Sequence, residues 1–213
     1  MSVNLEKTIK NLEKNNIETF FVKSRWDVIP LIEKMVAEGS VVSVGGSVTL
    51  DETGVLGHLR SGRYTFYDRY EAGLSAEQIK EIFVKSFDAD AYFCSTNAIT
   101  EDGELYNVDG NANRIGAIAF GPKNVIIVAG INKIVKNIDE AVKRVKTIAA
   151  PKNCLRLSRN TFCAQKGFCA DMFGGIGKGC DSDERICRHY LVSSKQAQMG
   201  RIKVIIVNEE LGY

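Results

Sequence analysis

At 213 residues, with 45% hydrophobic and 25% charged side chains, the chain can bury a sizeable soluble core without cross-links. Its net charge of +2, with both signs interspersed, leaves no basic stripe for nucleic acid. No apolar run approaches the ~20 residues that span a bilayer. The start, "MSVNLEKTIKNLEKNN", lacks an apolar signal core, so a cytoplasmic protein with reduced thiols is expected.

Leu5, Ile9 and Leu12 recur at helical spacing, and "IETFFV" (17–22) reads as a buried strand. Ser24 can cap a helix carrying Val28, Ile29, Ile32, Met35 and Val36, which Gly39 stops. "VVSV" (41–44) and, after a helical stretch, "YTFY" (64–67) are further strands. Ser75 and Gln78 have capping-box spacing for a helix through about Phe87. "DAYFC" (90–94) and "NVIIVAG" (124–130) are strands, the latter reading as fully buried. Asn137 with Glu140 opens a helix ending near Pro151, and "RIKVIIV" (201–207) returns to strand. Strands alternating with helices predict an α/β domain of three layers, a mainly parallel sheet with helices on both faces. One domain over 1–213 is expected, with a cysteine-rich segment at 154–190 forming a C-terminal lobe.

Two segments could carry chemistry. In "VGGSVTLDETG", Gly45 and Gly46 permit close backbone approach, Ser47 and Thr49 offer hydroxyls, and a helix start offers unpaired N–H groups. Those are the parts of an anion cradle, and equally of a tight strand–helix turn. Glu52, one turn into that helix, could reach the same ligand or simply favour the helix dipole. The second segment, "STNAITEDGELYNVDGNANRIG" (95–116), starts where a strand ends, the edge at which open α/β sheets bind ligands. It holds Asn97, Thr100, Glu101, Asp109, Asn111, Asn113 and Arg114, although "TEDGEL" by itself is a hairpin turn. The two histidines, His58 and His189, sit in no motif and read as surface residues.

Cys163, Cys169, Cys180 and Cys187 follow the pattern C-x5-C-x10-C-x6-C. Zinc knuckles and ferredoxin runs use shorter gaps. Three readings stay open: a metal centre holding zinc or an iron–sulfur cluster, reduced packing thiols, or a redox-active disulfide. Lys178, Arg185 and Arg188 would stabilise thiolates there. Cys94 reads as a small core residue, and Cys154 has no assigned role.

The stretches "GGSVTLDETG", "TNAITEDGELYNVDGNANRIGAIAFGPKNVIIVAGINKIV", "AAP" (149–151), "CDSDERIC" and "VIIVNEELGY" together resemble the LUD domain family, the lactate-utilisation proteins. The resemblance implies the fold of phosphosugar isomerases and CoA transferases, in which a loop placed like 45–49 often binds a phosphate or sugar. It implies a role in lactate or related organic-acid metabolism, beside an iron–sulfur oxidoreductase partner. Similar tails have their second and third cysteines close together, whereas ten residues separate Cys169 from Cys180 here.

A small anionic ligand (phosphorylated sugar, CoA-like compound or carboxylate) is therefore expected between 45–54 and 96–114. Glu101 or Glu52 would supply a base or nucleophile, Arg114 a bidentate cation for the ligand, and Lys133 a second cation. The rival expectations are a non-catalytic assembly protein carrying metal or an iron–sulfur cluster, and a ligand-sensing regulator. A homo-oligomer is compatible with each.

Overall fold

The computed structural model describes residues 3–213. Asn4 accepts the Lys7 amide on its side chain and opens α1 (Leu5–Lys14), which leads to β1 (Glu18–Val22). A reciprocal Ser24–Asp27 cap precedes α2 (Val28–Met35), followed by β2 (Val41–Val44). Two short helices, α3 (Val48–Glu52) and α4 (Val55–Leu59), lead to β3 (Thr65–Tyr67). The capping box read from Ser75 and Gln78 is formed in both directions at the start of α5 (Ala76–Lys85). Next come β4 (Ala91–Cys94), β5 (Ala98–Thr100), β6 (Leu105–Asp109), α6 (Asn113–Ala119), β7 (Asn124–Gly130) and β8 (Ile134–Val135). The chain ends with α7 (Ile138–Arg144), α8 (Ala150–Arg156), α9 (Phe162–Lys166), β9 (His189–Ser193) and β10 (Ile202–Val207).

Six strands form one sheet in the order β1–β10–β7–β4–β2–β3, and every pairing is parallel. Its inner strands β4 and β7 are nearly continuous apolar runs because both faces are covered. Ile126, Val128, Ile205 and Val207 point to one face, where Val28, Ile32, Leu50, Val55 and Leu59 of α2–α4 meet them. Their neighbours Val125, Ile127, Val204 and Ile206 point to the other, against Leu12 of α1 and Ala117 and Ile118 of α6. The expected parallel sheet with helices on both faces is present. Among the described residues, no helix is long and apolar enough to cross a membrane.

Three features depart from the sequence reading. The polar stretch after β4 is not a connecting loop. It builds a second, mixed sheet, β8–β5–β6–β9, whose β5–β6 hairpin turns through Glu101–Glu104. One face of this sheet joins the α1 and α6 layer through Ile99 and Leu105. Its other face, with Ala98 and Tyr106, packs on Ala141, Val142 and Val145. Helix α7 also does not stop at Pro151. A wide π turn over 145–149 carries it into α8, with Pro151 at the start, and the loosened ladder accommodates the proline ring.

The cysteine-rich segment is not an appended C-terminal lobe. It lies between α8 and β9, both strands that follow it are integral, and its backbone is stitched to the long helix. Cys169 N donates to Lys146 O at 2.8 Å, while Lys146 Nζ donates to the carbonyls of Asp171 (2.7 Å) and Gly174 (2.5 Å). A folded chain needs acceptors for a buried ammonium, and these backbone oxygens supply them.

The hairpin turn is set directly on α1. Gly103 has φ +81°, and a Cβ there would stand 2.4–2.6 Å from the backbone of Asn11 and Leu12. Gly103→Ala is expected to lower unfolding free energy by at least ~1–3 kcal/mol, the cost of the left-handed backbone alone. Denaturant melts of the two proteins measure it, and an unchanged midpoint would contradict this packing.

Candidate functional site

Strand β2 has β3 on one side and β4 on the other, so the winding of the sheet reverses between β2 and β4. A crevice opens outside the carboxyl ends of strands at such a point. Gly46–Thr49 beyond β2, Ser95–Asn97 beyond β4, Lys133 beyond β7 and Tyr213 beyond β10 line a cleft of about 410 Å³ there. The second sheet closes one side with Val108–Asn111 and Arg114, and the π-turn region with residues 183–188 closes another. The two loops picked out in the sequence share this edge only in part. Gly45 N donates to Phe93 O (2.8 Å) and Ser95–Asn97 face the cleft, but from Ala98 onward the chain turns away into β5.

That turn removes two of the expected residues. Glu101 accepts the Asn4 amide (2.9 Å) and lies 3.4 Å from Lys7 Nζ, so its carboxylate caps α1 and is absent from the cleft wall. Thr100 exchanges hydrogen bonds with Glu104 across the hairpin. Glu52 is also engaged elsewhere: its Oε2 accepts the Gly212 amide at 2.6 Å and pins the chain terminus. Ser47 caps α3 by accepting Leu50 N (3.3 Å). The close approach at Gly45 belongs to Tyr92 and Arg114, since a Cβ there would meet Tyr92 Oη at 2.8 Å. Gly46, Asn97, Asp109, Asn111, Asn113 and Lys133 do line the cleft, with Ser47 and Thr49.

Arg114 is the largest correction. Its Nε donates to Asp109 Oδ1 (3.0 Å), Nη1 to Ser95 O (2.8 Å) and Asn107 Oδ1 (2.5 Å), and Nη2 to Asn97 Oδ1 (2.8 Å) and Val108 O (3.0 Å). A guanidinium has five N–H groups, and each has a protein acceptor. Asp109 also accepts Ile115 N (2.9 Å) and Asn97 accepts Val108 N (2.9 Å). Arg114, Asp109 and Asn97 therefore hold the wall together, rather than reaching for a ligand.

The cations available to a ligand lie elsewhere. Seven basic side chains, the spent Arg114 included, line the cleft against three acidic ones. Arg69, which follows β3, has its guanidinium carbon 5.0 Å from the ring centre of Tyr70 and 4.7 Å from that of Phe83. Its buried Nε has no hydrogen-bond partner among the described residues. Stacking of this kind fixes the cation while leaving its edge free for a carboxylate or phosphate. Sequence reading passed over Arg69, Ser95 and Arg159. Arg69 and Ser95 carry a signal, since each follows a strand's carboxyl end, whereas Arg159 carries none.

Lys133 sits at the bottom, 3% exposed. Its Nζ donates to Thr49 Oγ1 (2.8 Å) and Ser95 Oγ (2.9 Å), so one amine ties the β2, β4 and β7 ends. Burial, reinforced by the charges of Arg144 and Arg114, lowers its pKa from 10.5 to about 7 against the opposing pull of Glu52 and Cys94. A substantial fraction is thus neutral amine at physiological pH.

A small apolar cavity of about 20 Å³ adjoins the cleft and is lined by five cysteines: Cys163, Cys169, Cys180, Cys187 and Cys154. All are free thiols. No group of three or more His, Cys, Asp or Glu among the described residues is arranged to hold a metal ion. The expected thiolate-stabilising contacts also differ. Arg185 donates to the carbonyls of Cys180 (2.9 Å) and Cys187 (2.8 Å) and to Tyr190 Oη (3.2 Å). Burial pushes the Cys154 thiol up to about 11 and also raises that of Cys169.

A two-sheet α/β fold with a basic cleft at the switch point thus defines the class of protein. The LUD domain family profile matches residues 5–207, and the chain belongs to that family. A crystal structure of a DUF162 family protein from Deinococcus radiodurans is similar to it in fold, with a TM-score of 0.51 and 15% identity over 95% of each chain. Comparison with curated proteins gives no match.

Breaking the Arg114 hub strands the Asp109 carboxylate and several acceptors in a site that is 8–11% exposed. Arg114→Ala is expected to cost roughly 3–5 kcal/mol of stability. A melting temperature close to that of the parent would show that the network is dispensable.

Proposed function

We propose that this LUD-domain chain takes part in organic-acid metabolism of the lactate-utilisation kind by binding a small organic anion in its basic cleft. The observation that carries the reading is the excess of cationic over acidic side chains at the switch point, with Arg69 stacked on two rings and its Nε without a partner among the described residues. Like charges gathered in a cleft raise its potential and favour an anionic occupant. A carboxylate or phosphate would take the unpaired Arg69 edge, and Asn111 and Asn113 would orient its polar groups. A phosphorylated sugar and the anionic end of a CoA-like compound satisfy the same chemistry as a carboxylate.

Calorimetric titration with L-lactate, pyruvate, ribose 5-phosphate and coenzyme A tests the reading. Arg69→Ala is expected to weaken the binding anion by about ten- to a hundredfold, the worth of one charge-assisted bond of ~1.5–3 kcal/mol. Glu101→Gln, outside the cleft, is expected to leave affinity unchanged. If none of the four compounds binds, or Arg69→Ala binds as the parent does, the reading fails.

A second reading has its own support. Five cysteines line one cavity, which favours the metal- or iron–sulfur-carrying assembly role for Cys163, Cys169, Cys180 and Cys187. Loading would require the sulfurs to draw inward to ~2.3 Å from a zinc ion, or to spread round a larger cluster. Elemental analysis of anaerobically prepared protein should then find stoichiometric zinc or iron, strongly reduced in Cys180→Ser. Equal, negligible metal in both would remove this reading. A docked iron–sulfur oxidoreductase and ligand sensing both remain compatible with the same anion cleft.

A further inference from the structure

We propose that Lys133 is a covalent anchor for an anionic carbonyl compound, captured as an imine on Nζ. The inference rests on reading the cleft as an anion site, and it names the ligand class: a carboxylate or phosphate that also carries an aldehyde or ketone. A structural lysine buried this deeply would ordinarily meet a carboxylate. This one meets only the Thr49 and Ser95 hydroxyls, and the Glu52 carboxylate beyond them is occupied by Gly212 N.

Two hydrogen bonds hold two of the three substituent positions at Nζ. When the amine is neutral, the third is its lone pair, and among the described residues no bond is found there. Lysines that form imines with carbonyl substrates are activated by desolvation or by a neighbouring cation. Lys133 has both, being buried and near Arg144 and Arg114. Thr49, Ser95 and Lys133 all line the cleft, so the two hydroxyls that hold the amine border the space a bound ligand would take.

The chemistry closes on itself. The Nζ lone pair forms the C–N bond while the carbonyl π pair moves to oxygen, which takes a proton from nitrogen. The Ser95 and Thr49 hydroxyls, each in contact with Nζ, are placed to relay it. The hydroxyl then departs with the remaining N–H proton as water, leaving C=N. One amine and one carbonyl give one imine and one water, with no oxidant or reductant.

The test is reductive trapping on the full chain. Protein is incubated with pyruvate in one arm and glycolaldehyde phosphate in the other, reduced with cyanoborohydride, and mapped by peptide mass spectrometry. The expected result is a secondary-amine adduct at Lys133, heavier by the ligand less one oxygen atom. It should saturate over the concentrations at which calorimetry shows binding, and be absent in Lys133→Arg. Lys133→Met serves if the arginine variant does not fold. The arm that traps identifies the ligand as a 2-oxo acid or a phosphorylated aldehyde. Calorimetric binding without a Lys133 adduct would overturn the inference and leave the anion cleft standing. Scattered labelling of exposed lysines, equal in parent and variant, would overturn it too. Absence of both binding and adduct would take the cleft reading down with it.

Discussion

A guanidinium enclosed between two sheets must find an acceptor for every N–H it carries, and Arg114 finds five. They lie on β6 and just beyond β4, so this side chain sets how the second sheet meets the end of the first. Asp109 is shared between Arg114 and the Ile115 amide, which couples the same hub to the first turn of α6. Because Arg114 holds the Ser95 carbonyl, the Ser95 hydroxyl is left to meet Lys133. The cleft floor therefore depends on a bond network whose donors and acceptors are already spent on one another. Removing one member costs more than one hydrogen bond, since the others are left buried without partners.

Charge is concentrated around that floor. Arg144 donates to Asn97 O (2.7 Å) and Asn132 O (3.2 Å), which seats the loop carrying Lys133, and burial lowers its own pKa to about 10. Arg114 and Arg144 both disfavour a further proton on Lys133. Cations gathered at low dielectric oppose folding and favour an anion, so binding and stability draw on the same field.

The thiol cavity is coupled to this arrangement by position. Val145, Ala150, Arg185, Ile186 and Cys187 line both spaces, and Val145 and Ala150 flank the wide turn of the long helix. A single layer of side chains separates them, and close-packed walls transmit small displacements. Arg185 borders both spaces, and its donors hold the cysteine segment's carbonyls.

The parallel sheet was legible because period and continuity are local properties: Val125–Gly130 is apolar throughout since both of its faces are covered, and Ser75 and Gln78 announce their helix within four residues. Gly46, Thr49, Asn97, Asn111 and Lys133 were legible as cleft residues because strand ends are local too. What side chains do with their polar groups was not. Glu101 and Arg114 look alike in sequence as charged residues after a strand, yet a hairpin carries one to the α1 terminus and a buried hub consumes all donors of the other. Pro151 reads as a stop until a π turn upstream makes room for it. Sequence alone determined the parallel sheet with its covering helices and the sheet edge at which the cleft opens. The tertiary structure decided which polar groups are already spent, because hydrogen-bond partners some 5 to 160 positions apart meet only when the sheets close.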